Sequence, residues 1–142
     1  MNFDKNETVG IVASCFDLFH TGHILMLTEA KQHWDRLVVA LQSDPTIDRP
    51  EKNKPVQSLF ERYVQVSSCE FVDQVIPYDT EADLFNLLVG YDWDIRFLGE
   101  DYYGRTDFTG YDLGIEIHYC QRRHSYSSSG LRNRIEDASN NS

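Results

Sequence analysis

Apolar residues in this chain come in two rhythms. Short unbroken runs alternate with stretches in which apolar positions recur every three or four residues. Residues 8–15 and 36–43 (Leu37-Val38-Val39-Ala40-Leu41) are continuous and partly β-branched. They read as buried strands, and residues 72–77, 94–99 and 115–120 add three more. Between them, residues 22–34 carry Ile24, Leu25, Leu27 and Ala30, which predicts a helix packed by one face. Residues 59–68 and 81–89 also have the helical period, and 127–135 closes the series as a helix capped by a serine. The loop 44–56 is polar and holds Pro45, Pro50 and Pro55. It is too long for a tight connection and reads as a functional flap. Residues 101–113, rich in Tyr, Gly and Asp, predict no element.

Strands alternating with helices over the whole chain imply βαβ units with right-handed crossovers. The expected fold is α/β: a doubly wound, Rossmann-like parallel sheet of about five strands with helices on both faces. One domain, residues 1–136, is expected, followed by a polar and frayed tail, 137–142. Ligands of such sheets sit at the carboxyl ends of the strands. Cys15, Phe16 and Asp17, then Ser43 and Asp44, then Gly99, Glu100 and Asp101 all fall there and should converge on one crevice.

Charge narrows the range of partners. A net charge of −10 over 142 residues argues against a nucleic-acid or anionic-membrane surface, which would need a basic stripe. It leaves room for a nucleotide in a local cationic pocket. The start is polar, no apolar run approaches a membrane span, and Cys15, Cys69 and Cys120 form no close pair. The expectation is a soluble cytoplasmic protein with reduced thiols and no membrane insertion.

Chemistry concentrates in Cys15-Phe16-Asp17-Leu18-Phe19-His20-Thr21-Gly22-His23. A strand ends here in a turn and a helix begins. Histidines three residues apart share one face of the first turn, beside free amides and the positive end of the helix dipole. That is an anion site, and Gly22 allows a phosphate to approach the backbone between the rings. A zinc site would need further ligands, and His33, His118 and His124 stand at no ligand spacing; no metal-binding residue is assigned. Near the other end, Arg122 supplies a planar fork for phosphate oxygens, and Ser127, Ser128 and Ser129 add donors at a helix start.

These two stretches resemble the signatures of the HxGH nucleotidyltransferase superfamily, in its cytidylyltransferase branch and most nearly the glycerol-3-phosphate cytidylyltransferases. The second signature there has the form RTxGISTTxIxxRI; here Arg122, the serine triplet, Leu131, Arg134 and Ile135 fall in register. The resemblance implies transfer of CMP from CTP to a small phosphomonoester such as glycerol 3-phosphate, with release of pyrophosphate and Mg²⁺ as cofactor. It assigns His20, His23 and Arg122 as catalytic. Cys15, Phe16, Asp17, Gly22, Gly99, Glu100, Asp101 and the three serines would hold the nucleotide, with Asp17 an outer contact of the metal. Asp44, Lys52, Lys54, Arg62 and Tyr102 would face the acceptor, and the protein would be a homodimer.

The chain also departs from that branch. The turn begins Ala13-Ser14-Cys15 without the usual glycine, so Ser14 must tolerate the turn. Cys69-Glu70-Phe71 stands where an arginine is common, residues 80–89 lack a lysine, and Tyr102 replaces a tryptophan. Cysteine at position 15 occurs as well in the heptose-phosphate branch, which transfers an adenylyl group. Two alternatives therefore stay open: an adenylyltransferase acting on a sugar phosphate, and a catalytically silent nucleotide-binding regulator.

Overall fold

The structure is a computed structural model that describes residues 6–32 and 34–141. Five parallel strands form one sheet in the order β3-β2-β1-β4-β5. The strands are β1 (Val9–Ser14), β2 (Arg36–Gln42), β3 (Gln74–Tyr78), β4 (Ile95–Gly99) and β5 (Ile117–Cys120). The helices are α1 (Thr21–Lys31), α2 (Leu59–Ser67), α3 (Glu81–Gly90) and α4 (Ser128–Asn140). The chain winds outward from β1 to β3, then returns to β4 on the other side of β1. That reversal opens a crevice above the carboxyl ends of β1 and β4.

Strand alternation assigns the two faces. Leu37, Val39 and Leu41 of β2 join Val12, Phe97, Leu27 and Ala30 of α1, and Val66 of α2 in one core. Val38 and Ala40 turn the other way and join Val9, Ile11, Leu84 and Leu88 of α3. A strand buried on both faces has no polar side to mark its period, which is why the runs read as continuous. Each fully buried aliphatic side chain adds on the order of 2 kcal/mol.

Capping sets the helix starts. Ser58 and Glu61 form a reciprocal capping box on α2, and Thr80 and Asp83 form another on α3. Helix α1 differs from expectation. Leu27 and Ala30 are buried, but Ile24 and Leu25 are exposed, so its apolar residues occupy more than one face. Helix α4 runs on to Asn140 through residues whose composition predicts a frayed tail, with the exposed turns 137–140 still helical. The unassigned stretch 101–113 opens with a short 3₁₀ turn (Glu100–Tyr102) and otherwise consists of turns. A second such turn, Pro45–Ile47, begins the flap. Among the described residues no helix is long and apolar enough to cross a membrane. His33, residues 1–5 and Ser142, the last residue of the expected tail, lie outside the described residues.

Candidate active site

The turn after β1 uses left-handed backbone at Phe16 (φ 49°) and Leu18 (φ 52°). Ser14, where the sequence places the difficulty, is still in the strand. Non-glycine residues in this region cost roughly 1 kcal/mol each and need support. Phe16 has it: the ring is buried and meets the His23 ring edge-on at 5.0 Å. The Leu18 amide donates to Gln57 Oε1 at 2.9 Å.

His20 is the N-cap of α1. Its Nδ1 accepts the Gly22 amide at 3.0 Å, and its own amide donates to Nδ1 of His23 at 3.2 Å. Both Nδ1 atoms are acceptors, so each neutral ring carries its proton on Nε2. The rings stack at 3.8 Å with 22° between planes. Burial, then the neighbouring His20, pushes the His23 imidazole down to about 3; burial, then His124 and Arg122, lowers His20. At neutral pH the pair is uncharged. It offers Nε2–H donors without the repulsion of two adjacent cations.

Gly22 has a different reason from the one its spacing gives. A Cβ there would lie 2.9 Å from Cε1 of His20 and 3.0 Å from Cε1 of His124. Three imidazoles crowd this corner, and His124 is the one the sequence reading passed over. Its Nδ1 accepts the Tyr126 amide at 3.1 Å, which fixes its ring as the other two are fixed.

The α4 cap closes the site. Ser127 is the N-cap and accepts the Gly130 amide at 2.9 Å. Ser128 Oγ donates to the Asp17 carbonyl at 2.9 Å and lies 3.3 Å from His20 Nε2, so the imidazole N–H can donate to that hydroxyl. Asp17 is buried beneath. Its carboxylate accepts the Val56 amide (2.9 Å), the Gln57 amide (3.0 Å) and Arg132 Nη2 (2.5 Å). Burial would raise its pKa, but these donors outweigh burial and lower it. Asp17 therefore joins the histidine turn, the end of the flap and α4. Its protein donors leave it a positioning role rather than that of an outer metal contact.

Two cavities flank this centre and share His23 and Ser128. The first, about 240 Å³, is lined by His20, Gly22, Gly99, Asp101, Arg122 and His124 among others. Met26, Gln121 and Tyr126 also line it, and sequence reasoning missed them because nothing in their spacing marks them. The second, about 220 Å³, lies over Cys15, Phe16 and Asp17 and is bordered by Lys52, Asn53 and Arg132. The expected single crevice is thus two chambers meeting at His23.

The remaining expected residues divide. Ser127 lines the first cavity, whereas Ser129 and Glu100 are exposed and border neither. Tyr102 packs edge-on to Phe108 at 5.8 Å under the Arg105 guanidinium and lines neither cavity. Asp44 caps the Pro45–Ile47 turn, accepting the Thr46 amide and hydroxyl. Lys54 is exposed and outside the linings.

Arg62 is the clearest correction. It is 1% exposed and donates to the carbonyls of Gln57, Cys15, Gln42 and Ser43. Its fork ties the ends of β1 and β2 together instead of reaching an acceptor.

The site is thus a switch-point crevice lined by neutral imidazoles, an arginine and the start of a serine-capped helix. The chain belongs to the cytidylyltransferase-like family, matching it over residues 11–134. It is 34% identical over 127 residues to the bifunctional protein HldE of Campylobacter concisus, covering 89% of this chain and 26% of that protein. It is 37% identical over 133 residues to bifunctional protein HldE of Campylobacter fetus, covering 93% and 29%. The chain thus spans under a third of the length of these curated relatives.

Among solved structures it is similar to the lipopolysaccharide core biosynthesis protein of Thermoplasma volcanium (TM-score 0.60, 22% identity, 94% of this chain and 89% of that one). It is also similar to the pantoate-beta-alanine ligase of Francisella tularensis (TM-score 0.65, 19% identity, 92% and 67%). Both share the fold.

These relatives correct the branch. These curated relatives, at 30–37% identity, are HldE proteins, and the likeness to them does not single out glycerol-3-phosphate cytidylyltransferases. The expectation of CTP with glycerol 3-phosphate or another simple phosphomonoester is withdrawn with it.

Proposed function

We propose that this chain is an adenylyltransferase that joins the AMP part of ATP to the phosphate of a sugar phosphate, of the heptose-phosphate class, and releases pyrophosphate. The repeated likeness to HldE carries the reading, and Cys15 supports it as a feature of the heptose-phosphate branch. Because the chain matches only part of those relatives, the activity is assigned to this domain alone.

The geometry suits such a transfer. The acceptor phosphate is already an anion and attacks the α-phosphorus in line, so no covalent intermediate is required. The protein's task is to position the reactants and neutralise charge. His23, which lines both cavities, would offer its Nε2–H where the scissile bond would lie, and His20 would turn its Nε2–H from the Ser128 hydroxyl to the phosphates. Arg122 and the first-turn amides of α4 would hold the departing pyrophosphate. Lys52, on the flap beside the second cavity, would meet the acceptor.

Mg²⁺ fits as an ion carried on the phosphates. Asp101 supplies the only carboxylate lining the first cavity among the described residues, and Mg²⁺ commonly uses few protein ligands plus phosphate and water. Bound there, it would neutralise phosphate charge. A reducing, cytoplasmic setting fits the three free cysteines.

The test is pyrophosphate release from ATP and from CTP against a panel of sugar phosphates and simple phosphomonoesters. ATP with a heptose 1-phosphate should give the fastest turnover. Preference for CTP, or an absence of turnover with every sugar phosphate, overturns the reading.

A further inference from the structure

Behind the first cavity, α1 and β5 bring together three side chains that the reaction does not use. His118 and Cys120 stand two apart on β5, so both leave the same face of the sheet. Glu29 of α1 meets them, its Oε2 lying 2.7 Å from His118 Nε2. One ligand-type atom from each of the three residues lies within 4.8 Å of the other two. Glu29 and His118 are partly buried and Cys120 is buried, while Cys120 also borders the nucleotide cavity.

We propose that Glu29, His118 and Cys120 form a zinc site, with a fourth coordination position open toward the nucleotide cavity. The donor set decides the cation. One thiolate, one imidazole and one carboxylate suit a borderline ion such as Zn²⁺, whereas Mg²⁺ and Ca²⁺ take oxygen ligands. With zinc–ligand bonds of about 2.0–2.3 Å, tetrahedral corners lie about 3.5 Å apart. Side-chain shifts of about an ångström bring these three atoms there.

Burial first, and the Glu29 carboxylate next, push the Cys120 thiol up to about 12. Zinc would displace the thiol proton. Bonds form from the ion to Sγ, Nε2 and the carboxylate; the thiol proton leaves to solvent, the ring proton resides on Nδ1, and no electron is transferred. The consequence is mechanical. Helix α1 begins at the His20–His23 pair and β5 leads into Arg122 and His124, so one ion would fasten together the two elements that frame the first cavity.

The ligands are far apart in sequence, and only the packing of α1 on β5 joins Glu29 to the other two. Zinc binding is read without ATP or acceptor, so its outcome is independent of the reaction proposed above. The full chain, stripped of metal by chelator and dialysed, is titrated with Zn²⁺ and separately with Co²⁺. One ion per chain is expected, with a thiolate-to-cobalt charge-transfer band that Cys120→Ser abolishes. His118→Gln should weaken zinc binding roughly 10²-fold or more.

Failure to bind near one equivalent overturns the site. So does cobalt bound without the thiolate band, or zinc binding lost in His20→Ala while Cys120→Ser retains it. If circular dichroism shows that Cys120→Ser does not fold, Glu29→Gln and His118→Gln carry the same test. Native zinc affinity in both would then overturn the proposal.

Discussion

The two cavities share His23 and Ser128 but are built in opposite ways. In the first, the imidazoles are fixed from behind. Backbone amides occupy the Nδ1 atoms of His20, His23 and His124, and the Nε2 of His20 meets the Ser128 hydroxyl of the opposite wall. In the second, the Asp17 carboxylate is turned into the protein and holds the flap and Arg132. Arg62, outside the lining, holds the carbonyls of Cys15, Gln42 and Ser43. The first is therefore walled by side chains that the backbone fixes, whereas the second is lined by a carboxylate already engaged with the protein and by the flap residues Lys52, Asn53 and Pro55. Separating residues that would touch ligand from residues that only place them requires knowing where each donor points.

The largest expected effect lies where the cavities meet. His20→Ala or His23→Ala should lower turnover with ATP and a sugar phosphate by about 10²–10³-fold, read as pyrophosphate release. Near-native turnover in either variant would remove the donor role from the shared centre.

Next come the scaffold residues. Arg62→Met should cost about 3 kcal/mol in urea unfolding, because several buried carbonyls lose their donors. A loss below about 1 kcal/mol would mean that the strand ends are held otherwise. Asp17→Asn should cost about 2–3 kcal/mol and couple to Arg132→Leu in a double-mutant cycle. Additive effects would show the pair to be incidental.

A pH effect follows in size. His23 is held at about 3 in the folded state against 6.5 when unfolded, so below 6.5 the unfolded chain binds the extra proton. Stability is therefore complete above about pH 6.5 and falls on acidification toward pH 3, by about 1.4 kcal/mol per pH unit. His23→Gln should flatten that slope between pH 6 and pH 4, roughly the range before carboxylates titrate; an unchanged slope assigns the loss elsewhere.

The smallest effect belongs to the flap. Lys52→Ala should raise KM for the acceptor about fivefold and leave KM for ATP unchanged, since an exposed charge contributes about 1 kcal/mol. A change in KM for ATP alone would move Lys52 to the nucleotide side.

Much of this was legible in the chain. The strand runs, the helix periods and the Ser127 cap lie where the pattern places them, because both-face burial and local capping are written in consecutive residues. That His20, Gly22 and His23 would meet Arg122 at one cavity was legible as well. The choice of nucleotide and acceptor was not: the resemblance pointed to CTP and glycerol 3-phosphate, while the HldE relatives point elsewhere. The resemblance rested on the histidine turn and the Arg122 segment, and Cys15, the one turn residue that pointed to the other branch, was not decisive alone.

The sequence by itself determined a parallel α/β sheet with a histidine turn at its first strand end. Local period, capping and turn chemistry depend on neighbours within a few residues, so one dimension suffices for them. The tertiary structure alone decided which charges face a ligand. Arg62 and Lys52 are equivalent as cations on a page, but one is buried among carbonyls and the other stands at a cavity rim. His124 gained its place only when residues 120–127 folded back over Gly22. In the histidine turn, backbone amides hold each Nδ1 and the Nε2 of His20 meets Ser128 of α4, an arrangement that spacing cannot express.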